Sequence, residues 1–493
     1  MLIMNNAIVI GSGIAGIAVS IRLAKLGFKV KVFEANSFPG GKLSNFKLGK
    51  YRFDFGPSLF TMPELVEDLF NICDEDTSMF FQYKRKEISC NYFWEDGVRI
   101  KSFFDKKKFT NEISSNLNVD KKIILKYMNK SKIKYDLTES IFLKKSLHDY
   151  KNLFNKKTFK AILNIKKLDL NKTLHQVNQN QLKEKHLVQL FDRYATYNGS
   201  NPYKTSGIMS LIQHLENNIG TFIPNKGMVE ITNSLFKLAK RQGVEFLFNS
   251  RINKIVTKNN KVLGVNSNSK FYQSEILVSN SDVYYTYKKL LGDINKASKL
   301  SKIERSSSAV IFYWGISRKF EMLDLHNIFF SNDYESEFEH IFEKKSVFED
   351  PTVYINITSK DVTNDAPKNS ENWFVMINVP SDCGQDWDKI VKELKTHVIC
   401  KINNILKCEI RDYIEEEKVV TPKIIDKQTE SFMGALYGTS SNDIKSSFVR
   451  HPNFSKTYDN LFFCGGTVHP GGGIPLCLNS AKIVSDLVSK NLS

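Results

Sequence analysis

The sequence is poor in cysteine, and none of its cysteines is placed to hold a metal. Cys73, Cys90, Cys383, Cys400, Cys408, Cys464 and Cys477 are scattered over 493 residues, odd in number and never spaced CxxC. That excludes a disulfide framework and a zinc ribbon, and it predicts a reduced, cytoplasmic protein. Long hydrophobic runs are missing too. No segment approaches the roughly 18 uninterrupted apolar residues of a membrane-spanning helix, so the chain is expected not to be integral to a membrane. The apolar stretch AIVIGSGIAGIAV has no basic segment before it and is interrupted by three glycines, unlike a signal peptide. Internal repeats and low-complexity linkers are absent. Acidic charge is in deficit: 53 Asp and Glu face 70 Lys and Arg, for a net charge of +17. A hydrophobic content of 41% excludes wholesale disorder, and the length suits two or three domains.

The basic excess is uneven. Between Lys121 and Leu170, 14 lysines face four acids, which places more than half of the excess in a tenth of the chain. Residues 141 to 168, IFLKKSLHDYKNLFNKKTFKAILNIKKL, interleave those lysines with apolar side chains. Two readings are open: a peripheral membrane surface facing anionic headgroups, or a solvated helical face. Nucleic acid is not expected as a partner, because no binding fold or aromatic-basic stacking pattern accompanies the charge.

What is present begins at the N-terminus. Residues 6 to 34 read as strand, turn, helix and strand, with Gly11, Gly13 and Gly16 in the G-x-G-x-x-G spacing and Glu34 at the end of the second strand. This spacing lets a strand turn tightly beneath a pyrophosphate and aims a helix N-terminus at it, with Ile14 and Ala15 in the first turn. Glu34, 18 residues past Gly16, can accept hydrogen bonds from an adenosine ribose, with Ala35 beside it. The acid disfavours a 2′-phosphate, leaving NAD or FAD. Two further glycine loops, Gly40-Gly41-Lys42 and Gly56-Pro57-Ser58, suit the longer ligand, and Asp54 either orders the second loop or is an ordinary turn former. At the far end, five glycines and two prolines lie between Gly465 and Pro475, ahead of a helical pattern.

In this order the segments resemble the flavin-containing amine oxidase and carotenoid desaturase superfamily, over about residues 5 to 65, 196 to 283 and 430 to 489. The resemblance implies one FAD wrapped by the N-terminal fingerprint, the PGGK loop and the C-terminal turn. It also implies backbone contact with the adenine at Ile252, and an FAD-domain role for the segment carrying Asn280 and Asp282. Amine oxidases usually carry Gly-Glu where this chain has Gly465-Gly466. GGTVHPGGGIPLCLNSAKI is instead similar to the phytoene desaturase group, and most similar to bacterial 1-hydroxycarotenoid 3,4-desaturases. The implied substrate is a carotenoid met at a membrane surface, and the implied electron acceptor is a quinone or oxygen. Gly473 and Ile474 then present helix N-terminal amides to the flavin, and Pro475 suits the first helical turn. Leu476, Ile483, Val484 and Leu487 are the expected buried face of that helix. His469 is the one titratable group within the turn: either a flavin-proximal proton acceptor or a turn histidine bonded to a backbone carbonyl. No metal site and no catalytic acid or base is assigned.

The expected fold is α/β, and α+β overall: a Rossmann-type FAD-binding domain interleaved with an antiparallel-sheet substrate domain and a helical, membrane-facing subdomain. Residues 1–80, 219–290 and 426–493 are assigned to the FAD domain, 81–106 and 291–425 to the substrate domain, and 107–218 to the helical part. Two other readings are weighed: a phytoene desaturase or other isoprenoid oxidoreductase of the same group, and a non-catalytic lipid escort on the same fold.

Overall fold

The computed structural model describes residues 5–148, 156–443 and 448–492. Within the lysine-rich stretch 141 to 168, residues 149–155 therefore lie outside the described residues.

Short β-branched runs form a five-stranded sheet in the order Leu461–Phe463, Ile276–Ser279, Asn6–Ile10, Lys29–Phe33, Glu245–Leu247. Every neighbouring pair is parallel. Successive side chains point to opposite faces of a sheet, and the central strand uses both. Ala7 and Val9 share a core with the helices Ile14–Lys25, Val229–Arg241 and Ile474–Leu492. Ile8 and Ile10 pack instead with Ile255, Val262 and Val265 of a three-stranded antiparallel sheet. Three stretches far apart in sequence thus meet in one parallel sheet.

A second sheet has seven strands, ordered Ile414–Val420, Ser308–Ile316, Glu371–Val379, Val353–Asn356, His326–Phe329, Ile88–Phe93, Arg99–Phe103. It is antiparallel except where Ile88–Phe93 runs parallel to His326–Phe329. Phe312, Trp314, Val375 and Ile377 pack against the helix Trp387–Leu406. Tyr313 and Phe374, on the other face, meet Tyr51 and Phe53 of the hairpin Ser44–Phe55.

The third layer is helical. Asp105, Asp120, Thr173 and Glu184 cap the helices Lys106–Leu117, Lys121–Thr138, Leu174–Leu182 and Lys185–Asp192 by accepting hydrogen bonds from first-turn amides. Their shared core is built on Phe109, Ile124, Tyr127, Leu187 and Phe191. Among the described residues, no helix is long and apolar enough to cross a membrane.

Candidate functional site

The C-terminal ends of the parallel strands converge on one crevice. Gly11 N donates to Phe33 O at 2.8 Å, Asn280 N to Ile10 O at 2.9 Å and Cys464 N to Ser279 O at 3.0 Å. Asn280 is the hub: its Nδ2 donates to Gly11 O at 3.3 Å. A Cβ on Gly465 would sit 2.6 Å from Asn280 Oδ1, and one on Gly13 2.9 Å from Nδ2. Gly16 is tighter than either, since its Cβ would lie 2.1 Å from Gly11 O. The helix Ile14–Lys25 can approach the strand only because that atom is missing, and Ile14 and Ala15 are buried in its first turn.

The PGGK loop closes on the same crevice. Gly40 N donates to Ser12 O at 2.8 Å, and a Cβ on Gly41 would lie 3.5 Å from Gly13 Cα. Lys42 crosses to the C-terminal segment, where its Nζ donates to Leu436 O at 3.2 Å. Gly56 lies against the backbone of Lys42, Pro57 follows half-buried, and Ser58 Oγ is 2.8 Å from Tyr354 OH of the seven-stranded sheet. Glu34 is buried and accepts four hydrogen bonds. Ser12 N and Oγ reach Oε2 at 2.8 and 2.7 Å, and Asn36 N and Nδ2 reach Oε1 at 2.8 and 3.0 Å. The carboxylate therefore fixes the glycine turn as well as marking the strand end beside Ala35. Ile252 is buried in the core shared with the small antiparallel sheet. Asp282 caps the next turn through Tyr284 N at 2.8 Å and accepts from Phe432 N at 3.1 Å.

One expectation is corrected. Asp54 does not order the glycine loop after it; its carboxylate accepts from Met228 N and Val229 N at 2.8 and 3.1 Å and pairs with Arg52. An acid at the start of the helix Val229–Arg241 satisfies amides that have no intrahelical partner, which explains its placement.

The C-terminal turn brings Gly466 against Gly472 and leaves Gly473, at φ +102°, with no atom within 4 Å of where a Cβ would stand. The helix starts at Ile474. Its core face is Ile474, Leu478, Ala481, Val484 and Val488, whereas Leu476 lines a cavity and Leu487 is half-buried. Ile483 and Val484 are buried as expected and Leu487 packs against the core; Leu476 departs from the expected face because the first turn serves the core on one side and a cavity on the other. His469 is buried, its Nε2 2.9 Å from Lys145 O. Burial pulls it down to about 4, so it is a neutral donor to a backbone carbonyl.

Two cations flank the start of this helix. Burial pulls Lys42 below its ordinary value and Arg450 down to about 10. Arg450 Nη1 donates to Tyr437 O at 2.8 Å, and neither cation has a salt bridge among the described residues. Cys477 feels both charges, yet burial pushes its thiol up to about 11 and it stays neutral. Positive charge from Lys42, Arg450 and a helix N-terminus thus gathers, partly desolvated, where backbone is open at Gly473. That suits a flat, electron-rich or anionic ligand.

Two cavities meet here. The larger is lined by Phe142, Leu143, Ile208, Met209 and Ile212 of the helical layer and by His469, Gly472, Gly473 and Leu476 of the turn. The smaller lies over the seven-stranded sheet and is lined by Cys90, His326, Ile328, Tyr354 and Met376, with Ser58 and Tyr437 beside the glycine segments. Tyr197 lines both. At the wall of the second lies a buried ion pair, with Arg193 Nη2 2.8 and 2.7 Å from the two oxygens of Glu216. Tyr194 OH donates to Glu216 at 3.1 Å, and Tyr197 OH donates to it as well. Burial alone would raise Glu216, but Arg193 and Tyr197 outweigh it and hold it below its ordinary value. Sequence reasoning missed Arg193, Glu216, His326, Tyr437 and Arg450, because no local motif marks residues that only tertiary contacts bring together.

The flavin-containing amine oxidoreductase family matches residues 14–335. A 1-hydroxycarotenoid 3,4-desaturase of Flavobacterium sp. (strain P99-3) is 51% identical over 98% of this chain and 99% of its own length. A 4,4′-diaponeurosporene oxygenase of Staphylococcus aureus (strain MSSA476) is 29% identical over 98% of both chains. An oxidoreductase from Methanosarcina mazei shares the fold with a TM-score of 0.63 at 13% identity, covering 98% of this chain and 100% of its own. Cyclohexylamine oxidase from Brevibacterium oxydans IH-35A does so with a TM-score of 0.61 at 13% identity, covering 99% of each chain. The match begins at Ile14, inside the fingerprint, and takes in Gly16, the PGGK loop and four of the seven strands of the second sheet, and this chain belongs to the flavin-containing amine oxidoreductase family.

Proposed function

We propose that this protein is an FAD-dependent carotenoid desaturase that forms the 3,4 double bond of a 1-hydroxylated carotenoid. The observation that carries the reading is the pair of cavities meeting at Tyr197 beside the open backbone of Gly473, one of them walled by hydrocarbon side chains. The 51% identity to a 1-hydroxycarotenoid 3,4-desaturase supports the choice of substrate.

Gly11, Gly13, Ile14, Ala15 and Gly16 would hold the pyrophosphate, Glu34 and Ala35 the ribose, and Ile252 the adenine. Gly40, Gly41, Lys42, Gly56, Pro57, Ser58, Asn280 and Asp282 would line the path to the flavin, with Gly465, Gly466, Gly473 and Ile474 against the ring. When bound, FAD supplies the two-electron acceptor for the two hydrogens lost from adjacent carbons. The protein's part is orientation and electrostatics. Lys42, Arg450 and the helix N-terminus favour negative charge there, the apolar cavity excludes water, and His469, bonded to Lys145 O, fixes the turn. A quinone or oxygen would take up the electrons afterwards. A lipid escort on this fold would not need every glycine segment kept, as they are here.

The substrate dissolves in membranes, and an exposed element suits a lipid surface. In the helix Lys156–Leu163, Phe159, Ile162 and Leu163 are 63%, 58% and 70% exposed, among Lys156, Lys157 and Lys160. This helix touches the turn Glu139–Leu143, whose Phe142 and Leu143 line the larger cavity. Apolar insertion combined with attraction to anionic headgroups would dock that face. Free thiols at all seven cysteines suit the cytoplasmic side. The activity is tested by co-expression in pigment-engineered bacteria. Lengthening of a hydroxylated carotenoid's chromophore with phytoene untouched supports the reading, and conversion of phytoene instead assigns the enzyme to the phytoene desaturase step.

A further inference from the structure

The smaller cavity is lined by two residues that each carry a buried polar atom unsatisfied among the described residues. Among those residues Ser89 Oγ and His326 Nε2 have no hydrogen-bond partner, and the two residues are 1% and 2% exposed. Both line the cavity. Their neighbours on the wall are paired: Arg193 with Glu216, and Ser58 Oγ with Tyr354 OH. The two orphans therefore stand out against a wall whose other charges are closed off. A buried donor or acceptor left unpaired destabilises the fold, so a matched pair of them in one cavity points to a ligand.

The chemistry they offer can be read from the other edge of the imidazole. His326 Nδ1 lies 2.7 Å from Tyr354 OH and accepts from Asn356 Nδ2 at 3.2 Å. With Nδ1 an acceptor, the hydrogen of the neutral ring is on Nε2, the unpaired nitrogen of a residue that lines the cavity. Ser89 Oγ can give or accept. An aliphatic hydroxyl is the complementary group: one lone pair for Nε2–H and an exchangeable bond with Ser89. Cys90, Ile328 and Met376 on the same lining suit the methyl groups around such a hydroxyl.

Placement agrees with the reaction. In a 1-hydroxycarotenoid only three covalent bonds separate the hydroxyl oxygen from C3, so its recognition site must adjoin the flavin. The wall that holds His326 is tied by the Ser58–Tyr354–His326 chain to the loop Gly56–Ser58, and Tyr437 on the same wall packs on Gly472. The larger, more apolar cavity is left for the polyene.

We infer that the smaller cavity is an end-group pocket in which His326 and Ser89 bind the substrate's hydroxyl and so set its specificity. The inference rests on the desaturase reading. An end group lacking the hydroxyl would leave both atoms unpaired, and selection of this kind exceeds what an apolar pocket achieves.

The test uses the FAD-loaded full chain in liposomes with a 1-hydroxycarotenoid and the same carotenoid lacking the hydroxyl. Wild type should favour the hydroxylated compound in kcat/KM by on the order of a hundredfold or more. Ser89→Ala and His326→Phe should each cut that ratio by roughly tenfold or more, mainly through KM. Quenching of tryptophan fluorescence should show parallel weakening of binding of the hydroxylated carotenoid alone. Loss of a purely structural contact would lower both substrates together and keep the ratio. Ser89→Ala removes a single oxygen, so it decides the matter if His326→Phe does not fold. An unchanged ratio in Ser89→Ala protein with normal flavin content overturns the pocket but not the desaturase. Wild type that converts neither carotenoid overturns both.

Discussion

Gly16 and Glu337 show how much a single position can carry in this fold. With its Cβ 2.1 Å from Gly11 O, Gly16→Ala must push the first helix off the sheet. A cost of about 1–3 kcal/mol is expected, with loss of bound flavin, read from the flavin-to-protein absorbance ratio and the thermal midpoint. A variant with full flavin content would show that the crevice yields. Glu337 is 2% exposed and burial pushes it up to about 7, with Thr352 Oγ1 donating to it at 2.7 Å. Its folded value lies above the unfolded one, so the stability it lends is whole at low pH and lost as pH rises from about 4.5 through about 7. Glu337→Gln should therefore match wild type in urea midpoint near pH 4.5 and exceed it by about 3 kcal/mol at pH 8. A gap independent of pH would contradict this. Legibility at this scale followed locality. Gly11, Glu34 and Gly473 could be singled out because each sits in a local pattern, a glycine spacing, a strand end or a glycine-rich turn. Ser89, His326 and Arg450 were not, because their partners lie on other strands or turns.

At the scale of elements, periodicity gave the final helix but misassigned part of its face. Leu476 is apolar because it lines a cavity, and a helix with a core side and a cavity side presents one broad stripe in sequence. The strand Ser308–Ile316 was recognisable by its β-branched and aromatic residues, yet all nine are buried because the sheet is covered on both faces. The parallel pairing of Ile88–Phe93 with His326–Phe329 could not be read, since nothing local fixes the partner of a strand so distant in sequence. The helix Lys156–Leu163 carries the element's own prediction. Phe159→Ser with Leu163→Ser should weaken co-sedimentation with phosphatidylcholine–phosphatidylglycerol vesicles by tenfold or more, as follows from about 1.5–3 kcal/mol per buried apolar side chain. Turnover of detergent-dispersed carotenoid should be unaffected. Equal vesicle binding by the variant and wild type would remove this helix from the docking surface.

For the whole molecule, interleaving is the physical device. Strands from residues 6–10, 276–279 and 461–463 lie side by side, so the N-terminal fingerprint, Asn280 and the C-terminal turn form one crevice only after the intervening chain has folded. The seven-stranded sheet lines one pocket, the helical layer and the glycine turn line the other, and the two share Tyr197. That arrangement is what makes a flavoprotein scaffold suited to a long hydrocarbon. Its direct test is anaerobic mixing of the FAD-loaded protein with a 1-hydroxycarotenoid in liposomes, following flavin and carotenoid absorption together. Bleaching of the oxidised flavin in step with a red shift of the carotenoid is the predicted result. A protein that binds FAD but shows neither change, while its flavin bleaches with dithionite, would contradict the account.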